Sequence, residues 1–141
     1  VGIGKTNPSE KLHVQGNIIA TGNITAYYSD QRLKEKTAPL TNVLEKLDDI
    51  NVFKYVENDL ARSLGFDNNK EQIGLSAQEV SKHFPQVATL APFDTTRNDD
   101  NEIVSQSGEN YMTLQYERIV PILLQSIKEL KERVIYLESK L

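Results

Sequence analysis

The strongest periodic signal lies at the end of the chain. Tyr116, Val120, Leu123, Ile127, Leu130, Val134, Leu137 and Leu141 recur at alternating spacings of four and three. In heptad terms Val120, Ile127, Val134 and Leu141 fall at a, and Tyr116, Leu123, Leu130 and Leu137 at d. Lys, Glu and Arg crowd the flanking positions. The pattern predicts a coiled-coil helix over 114–141. The alternative is an amphipathic helix that lays the same stripe on its own domain. Pro121 cannot donate to the turn before it, so it must start a segment or kink the helix. β-branched residues at a with Leu at d argue, taken alone, for a parallel dimer.

The stretch 29–113 reads as a small globular domain. Leu40, Val43, Leu44 and Leu47 fall at helical spacing and predict a short amphipathic helix from Pro39 to about Asp48. "NVFKYVEN" alternates and predicts a strand, and "ARSLGFDNNKE" carries turn residues and predicts a loop. "QIGLSAQEVSKHF" predicts a strand at Gln72–Leu75 and a helix at Ala77–His83. Ser76 and Glu79 stand at capping-box spacing, and Pro85 follows as a stop. "DTTRNDDNE" predicts a polar loop, and "EIVSQSGENYMTL" a hairpin turning at Ser107-Gly108.

The first 28 residues differ in character. Helix formers are sparse, and "GNIIAT" (16–21) is followed at once by "GNITAY" (22–27), a two-copy repeat of period six. Leu12, Val14, Ile18, Ile19 and Ile24 are separated by Gly-Asn turns, which suits short strands. Two copies cannot bury their own apolar residues, so such a segment gains stability when several copies or chains wrap together. It reads as the end of a β-rich fibre, with a disordered linker as the alternative.

Composition narrows the chemistry. The formal net charge of −4 gives no general pull toward nucleic acid or anionic membrane. No apolar run is long enough to span a bilayer. There is no Cys, which excludes disulfides and thiolate metal sites, and His13 and His83 lie far apart. No metal or cofactor is expected. The chain opens on Val1 rather than Met and reads as a fragment of a longer protein.

Three islands, "SDQRLK" (29–34), "IGLSAQEV…FPQV" (73–87) and "Y…VPILLQSIKELKERV" (116–134), together resemble a known family. It is the C-terminal intramolecular chaperone domain of phage endosialidases, tail fibres and neck appendage proteins, with a relative in the myelin regulatory factor transcription regulators. The resemblance covers about 29–141. It implies an α+β fold: a small mixed globular domain at 29–113, a β-rich fibre-stem segment at 1–28 and a long coiled-coil helix at 114–141, assembled as a homotrimer through Val120, Leu123, Ile127, Leu130, Val134 and Leu137. The implied partners are other copies of the chain and the upstream fibre domain of the same polypeptide, with neither nucleic acid nor membrane. The implied locations are the host cytoplasm during phage assembly and, for the upstream part, the virion.

The resemblance also implies self-cleavage between Tyr28 and Ser29 by a Ser29–Lys34 dyad, supported by Asp30 and Arg32. "GLSAQEV" departs from the family where aliphatic residues often precede the Ala. The Val/Ile-at-a pattern departs from what a trimer seam prefers, although globular contacts can also fix the oligomer.

The chemistry makes demands of its own. A serine hydroxyl needs a base, and a lysine serves as one only when neutral, so burial or nearby positive charge must pull its pKa down from about 10.4. Arg32 could supply such a field, or could pair with Asp30 and order the turn. Residues five apart lie about 140° apart on a helix and on opposite faces of a strand. Ser29 and Lys34 therefore meet only if the backbone turns between them or if the lysine comes from a neighbouring chain. In the second case the dyad would be complete only in the oligomer. The polar loops around Asn58–Lys70 and Asp94–Asn101 are candidates to embrace the stem. Two other readings compete: a permanent, non-cleaving fibre tip that binds a receptor, and the oligomerisation segment of a membrane-tethered transcription regulator.

Overall fold

A computed structural model describes all residues, Val1–Leu141. In chain order the elements are β1 (Gly2–Ile3), β2 (His13–Val14), α1 (Val43–Lys46), β3 (Val52–Tyr55), α2 (Asp59–Ser63), β4 (Gln72–Leu75), α3 (Ala77–His83), β5 (Ala88–Leu90), β6 (Thr95–Arg97), β7 (Ile103–Ser105), β8 (Met112–Leu114) and α4 (Ile119–Glu138). Short 3-10 turns join several of them. The chain divides into two compact units, one made of Val1–Leu40 and Leu90–Thr113, the other of Thr41–Thr89 and Leu114–Leu141. This is a small mixed α and β architecture with a long final helix.

The second unit holds the main core. Val43, Ala77, Val80, Phe84, Val87, Leu114 and Ile122 are buried together, drawn from α1, α3, the turn after α3, the end of β8 and α4. β3 and β4 pair antiparallel, with Val52 opposite Leu75 and Tyr55 opposite Gln72. β4 and α3 fall on the residues that the sequence predicts. Ser76 caps α3 by accepting from Glu79 N at 3.3 Å. The reciprocal half of the capping box is not made. The Glu79 carboxylate instead accepts from Asn51 N (2.8 Å) and Asn51 Nδ2 (3.1 Å), which ties the start of α3 to the entry of β3.

Three predicted boundaries shift, each for a local reason. The first helix starts at Val43 rather than Pro39, because Asn42 takes a left-handed conformation (φ 54°, ψ 37°) that reverses the chain there. Its side chain makes no cap. The free N–H groups of Val43 and Leu44 are instead met by the two Glu129 carboxylate oxygens of α4, at 3.1 and 2.8 Å. The predicted loop from Ala61 contains the end of α2, which Asn58 caps by accepting from Ala61 N at 2.9 Å. The last helix begins at Ile119 rather than Leu114. Pro121 lies in its first turn, where a missing N–H costs no intrahelical bond.

In the first unit β1 and β2 pair parallel, with Gly2 opposite His13. The "GNIIAT-GNITAY" repeat forms no strand. Ile18, Ile19 and Ile24 stand exposed, as expected of a repeat whose apolar side chains find no cover within one chain. The predicted hairpin turning at Ser107-Gly108 is replaced by another. β7 pairs back onto β6, with Thr95 opposite Ser105 and Arg97 opposite Ile103. The turn between them is closed by Asn98 Oδ1, which accepts from Glu102 N at 2.8 Å. The predicted polar loop thus carries β6.

One acid organises the loop after β7. Asp94 is 2% exposed and accepts from Ser105 Oγ (2.6 Å), Ser107 N (2.8 Å) and Tyr111 N (3.2 Å). A buried carboxylate must collect donors, and the loop 105–111 wraps around it to supply them. The Ser105 hydroxyl is the largest of the influences that lower its pKa to about 2.

Two outcomes are expected for stability. Phe84→Ala in the core of the second unit should cost about 3–5 kcal/mol, read by denaturant unfolding. Asp94 has a folded pKa below its unfolded value, so its contribution is full above the ordinary carboxylate range and lost as pH falls toward 2. An acid titration of the wild type should show that loss between about pH 4 and 2, and Asp94→Asn should remove it from that window.

Candidate functional site

Ser29, Asp30, Arg32 and Lys34 all lie in the first unit, around a 3-10 turn at Gln31–Leu33. Asp30 enters the turn extended and accepts from Arg32 N at 2.9 Å, which satisfies a first-turn donor. Its carboxylate also holds the Arg32 guanidinium, through Nε at 3.0 and 3.1 Å and Nη2 at 2.6 Å. That clamp keeps the Asp30 carboxyl below the usual carboxylate range, with the Arg32 side-chain hydrogen bonds as the leading cause, and it raises Arg32. Lys34 leaves the turn extended, its N–H on Gln31 O.

The backbone thus reverses between residues 29 and 34, and Lys34 Nζ comes to 3.1 Å from Ser29 Oγ. Of the two routes that spacing leaves open, the turn within one chain is the one observed. A neighbouring chain is not required to bring the two groups together. Of the two roles open to Arg32, the structure displays pairing with Asp30, which shapes the turn and offsets the guanidinium charge. Ser29 and Lys34 are both exposed.

The residues before Ser29 add a feature with no sequence signal. Tyr27 has φ 65°, a left-handed conformation that is an outlier for a bulky side chain. Such a residue costs about 1–3 kcal/mol of local strain. Its ring stacks on Tyr28, with centroids 4.9 Å apart and planes 20° apart. The strained residue therefore sits one position before the Tyr28–Ser29 bond.

The predicted association residues occupy α4, in the second unit. Val120, Leu123, Ile127, Leu130, Val134 and Leu137 are between 46% and 64% exposed, whereas Ile122 on the same helix is 7% exposed. Two faces share the helix. Ile122, Ser126 and Glu129 face inward, and exposed Arg133 continues their line along the helix. Ile122 enters the core, Glu129 holds the start of α1, and Arg133 pairs with Glu45 at 3.1 Å. The heptad stripe lies roughly 100° around the helix from that face. At its N-terminal end Tyr116, Val120 and Leu123 join Val52, Ile73 and Leu47 in an open apolar groove of about 590 Å³. The helix lies on its own domain, as the second sequence reading has it, but by a different stripe. No group of three or more His, Asp or Glu side chains converges in a way that could hold a metal ion.

Comparison with known proteins bears on the same residues. Residues 29–89 match the family described as chaperone of endosialidase, which is also designated a peptidase family. The match covers the first two of the three sequence islands and begins at Ser29. The chain is 27% identical over 130 residues to the long tail fiber proteins of Enterobacteria phages K3 and T2, covering 89% of this chain. It is 29% identical over 154 residues to an uncharacterized membrane protein of Dictyostelium discoideum, covering 100% of this chain. In each case it spans 9% of the relative's length.

The clamp can be tested without reference to any reaction. Arg32→Lys keeps the charge but loses the forked contact with Asp30. The amides of Arg32 and Leu33 should then exchange with solvent about tenfold faster, read by NMR. An unchanged rate would mean that the turn is held by its backbone alone.

Proposed function

We propose that this chain, whose residues 29–89 match the chaperone of endosialidase family, assists assembly of a phage fibre upstream of it and then frees itself by self-cleavage at Tyr28–Ser29. The observation that carries the reading is the 3.1 Å contact from Lys34 Nζ to Ser29 Oγ, made at the first residue of the family match. The likeness to two phage long tail fiber proteins supports the fibre as client. Assembly in the host cytoplasm, followed by entry of the upstream part into the virion, belongs to the same reading.

The reaction begins with loss of a proton from the Lys34 ammonium, which in the present geometry donates to Ser29. Neutral Lys34 then takes the hydroxyl proton as Ser29 Oγ attacks the Tyr28 carbonyl carbon. The C–N bond breaks, the proton passes to the leaving Ser29 nitrogen, and an ester joins Tyr28 to Ser29 Oγ. Water hydrolyses that ester to the Tyr28 carboxylate and the free Ser29 hydroxyl. The strained Tyr27 backbone raises the starting state next to the bond that breaks.

Association supplies the dry environment that the exposed pair lacks. Three copies joined along the exposed α4 stripe would hold three stem ends together, raise their effective concentration and lower the entropic barrier to wrapping. A neighbouring chain closing over the exposed Ser29–Lys34 pair would exclude water and favour neutral lysine. Association in this reading controls the environment of the pair rather than its formation. Removal of the nucleus after the stem has closed leaves the fibre kinetically trapped.

Ser29→Ala and Lys34→Ala should each leave an uncut chain on a denaturing gel, and the wild type should give a fragment whose mass starts at Ser29. Complete cutting in either variant would refute the role given to that residue. An uncut wild type that still assembles would instead support the permanent fibre tip. Leu130→Asp, in the middle of the stripe, should turn a trimer of the native mass into monomer and slow cutting at least tenfold. A verified monomer that cuts at the wild-type rate would remove association from the mechanism.

A further inference from the structure

The segment upstream of Ser29 is joined to the rest of the first unit by more than the peptide bond. Ser9, His13 and Thr95 are 4%, 8% and 6% exposed, a buried polar cluster that spans the two sides of the proposed cut. Ser9 Oγ lies 2.7 Å from Thr95 Oγ1 on β6. Ser9 N donates to His13 Nδ1 at 3.3 Å, and Thr95 Oγ1 donates to Pro92 O at 2.9 Å. Each hydroxyl has one proton. Ser9 Oγ also lies 3.1 Å from His13 Nδ1, so the Ser9 hydroxyl sits between His13 and Thr95. The set forms one connected cluster, and no buried side-chain polar atom in the molecule lacks a partner. Beside it, Glu10 approaches Arg97 to 3.9 Å. The β1–β2 pairing folds residues 1–14 into a small bracket that presents Ser9 and Glu10 to β6.

We propose that this cluster is a latch that keeps the 1–28 segment bound to the β6–β7 hairpin after Tyr28–Ser29 is cut, so that cleavage permits release but does not cause it. The proposal takes the cut from the function above, while the contacts themselves are independent of it. A buried hydrogen-bonded pair across the two fragments must be broken, and both hydroxyls resolvated, before they separate. The stretch that the sequence marks as a polar loop, Asp94–Asn101, which carries β6, is thereby the surface that grips the stem end. Its partner is the upstream piece of the same chain. The Asp94-centred loop just beyond β7 stiffens that surface.

The test uses the full chain with an affinity tag at its N-terminus. After cutting, verified on a denaturing gel, the fragments are run together on a native column. Wild-type 29–141 should co-elute with the tagged 1–28 piece. Separation in the first pass would overturn the latch. Ser9→Ala alters only the upstream piece, so the 29–141 fragment keeps its sequence. It should separate roughly five to ten times faster. A rate equal to the wild type would take the role away from Ser9.

If the wild type does not cut itself, the self-cleavage reading fails and the latch is still testable. A protease site inserted after Thr25, in the exposed stretch before Tyr28, in a Ser29→Ala chain allows cutting by an added protease. Co-elution then supports the latch, and separation overturns it.

Discussion

The second unit depends on one carboxylate, Glu129. It stands near the middle of α4, and both its oxygens are taken by the first N–H groups of α1. A helix as short as α1 cannot hold itself together in water, and its first turn has no cap of its own. The α4 side chain supplies what Asn42 does not, and the Leu44 amide is the leading cause that keeps the Glu129 carboxyl below its ordinary range. The consequence is rotational. Once Glu129 faces α1, with Ile122 in the core, the heptad stripe must face away. The same interaction that completes the core therefore leaves an apolar seam for something else to cover.

In the first unit the governing constraint is a clamp of the same kind on a smaller scale. Asp30 satisfies a backbone donor and holds a guanidinium, and the turn so fixed is tight enough to close a five-residue gap. No core is needed for this, only local hydrogen bonds. The Ser29–Lys34 pair is therefore in contact yet exposed. Under the proposed function, what separates an inert contact from a reactive one is solvent exclusion, and association is the means of supplying it. In that proposal, geometry built locally and environment supplied by assembly would give a cut that waits for the fibre.

The candidate site entered through the family resemblance that "SDQRLK" carries, and the residues by themselves left an ordered polar turn equally open. Ser29, Asp30, Arg32 and Lys34 stand in one six-residue stretch, and the spacing alone demands a turn or a second chain. β4 and α3 were legible from the residues themselves, since Ser76 and Pro85 mark both ends of the helix. What misled was chemistry with two uses. Glu79 is well placed to complete a capping box, yet Asn51 offered it two donors instead of one. Glu102–Leu114 reads as a hairpin with a good turn, yet a buried Asp94 drew that turn around itself and left β7 to pair with β6. Such choices depend on groups far away in sequence, which local patterns do not contain.

The sequence by itself determined the periodic elements, because side-chain spacing and turn chemistry act over a few residues, and its resemblance to a known family marked the candidate reactive stretch. It also set out an apolar stripe too regular to be accidental. Only the tertiary structure decided which face of α4 turns inward, that Ser29 and Lys34 meet within one chain, that Tyr27 is strained, and that Ser9 is tied to Thr95 across 86 residues. The local contacts depend on how one turn closes, whereas the facing of α4 and the Ser9–Thr95 tie are outcomes of competition among distant partners for buried donors and acceptors. That competition is settled only when the whole chain has closed.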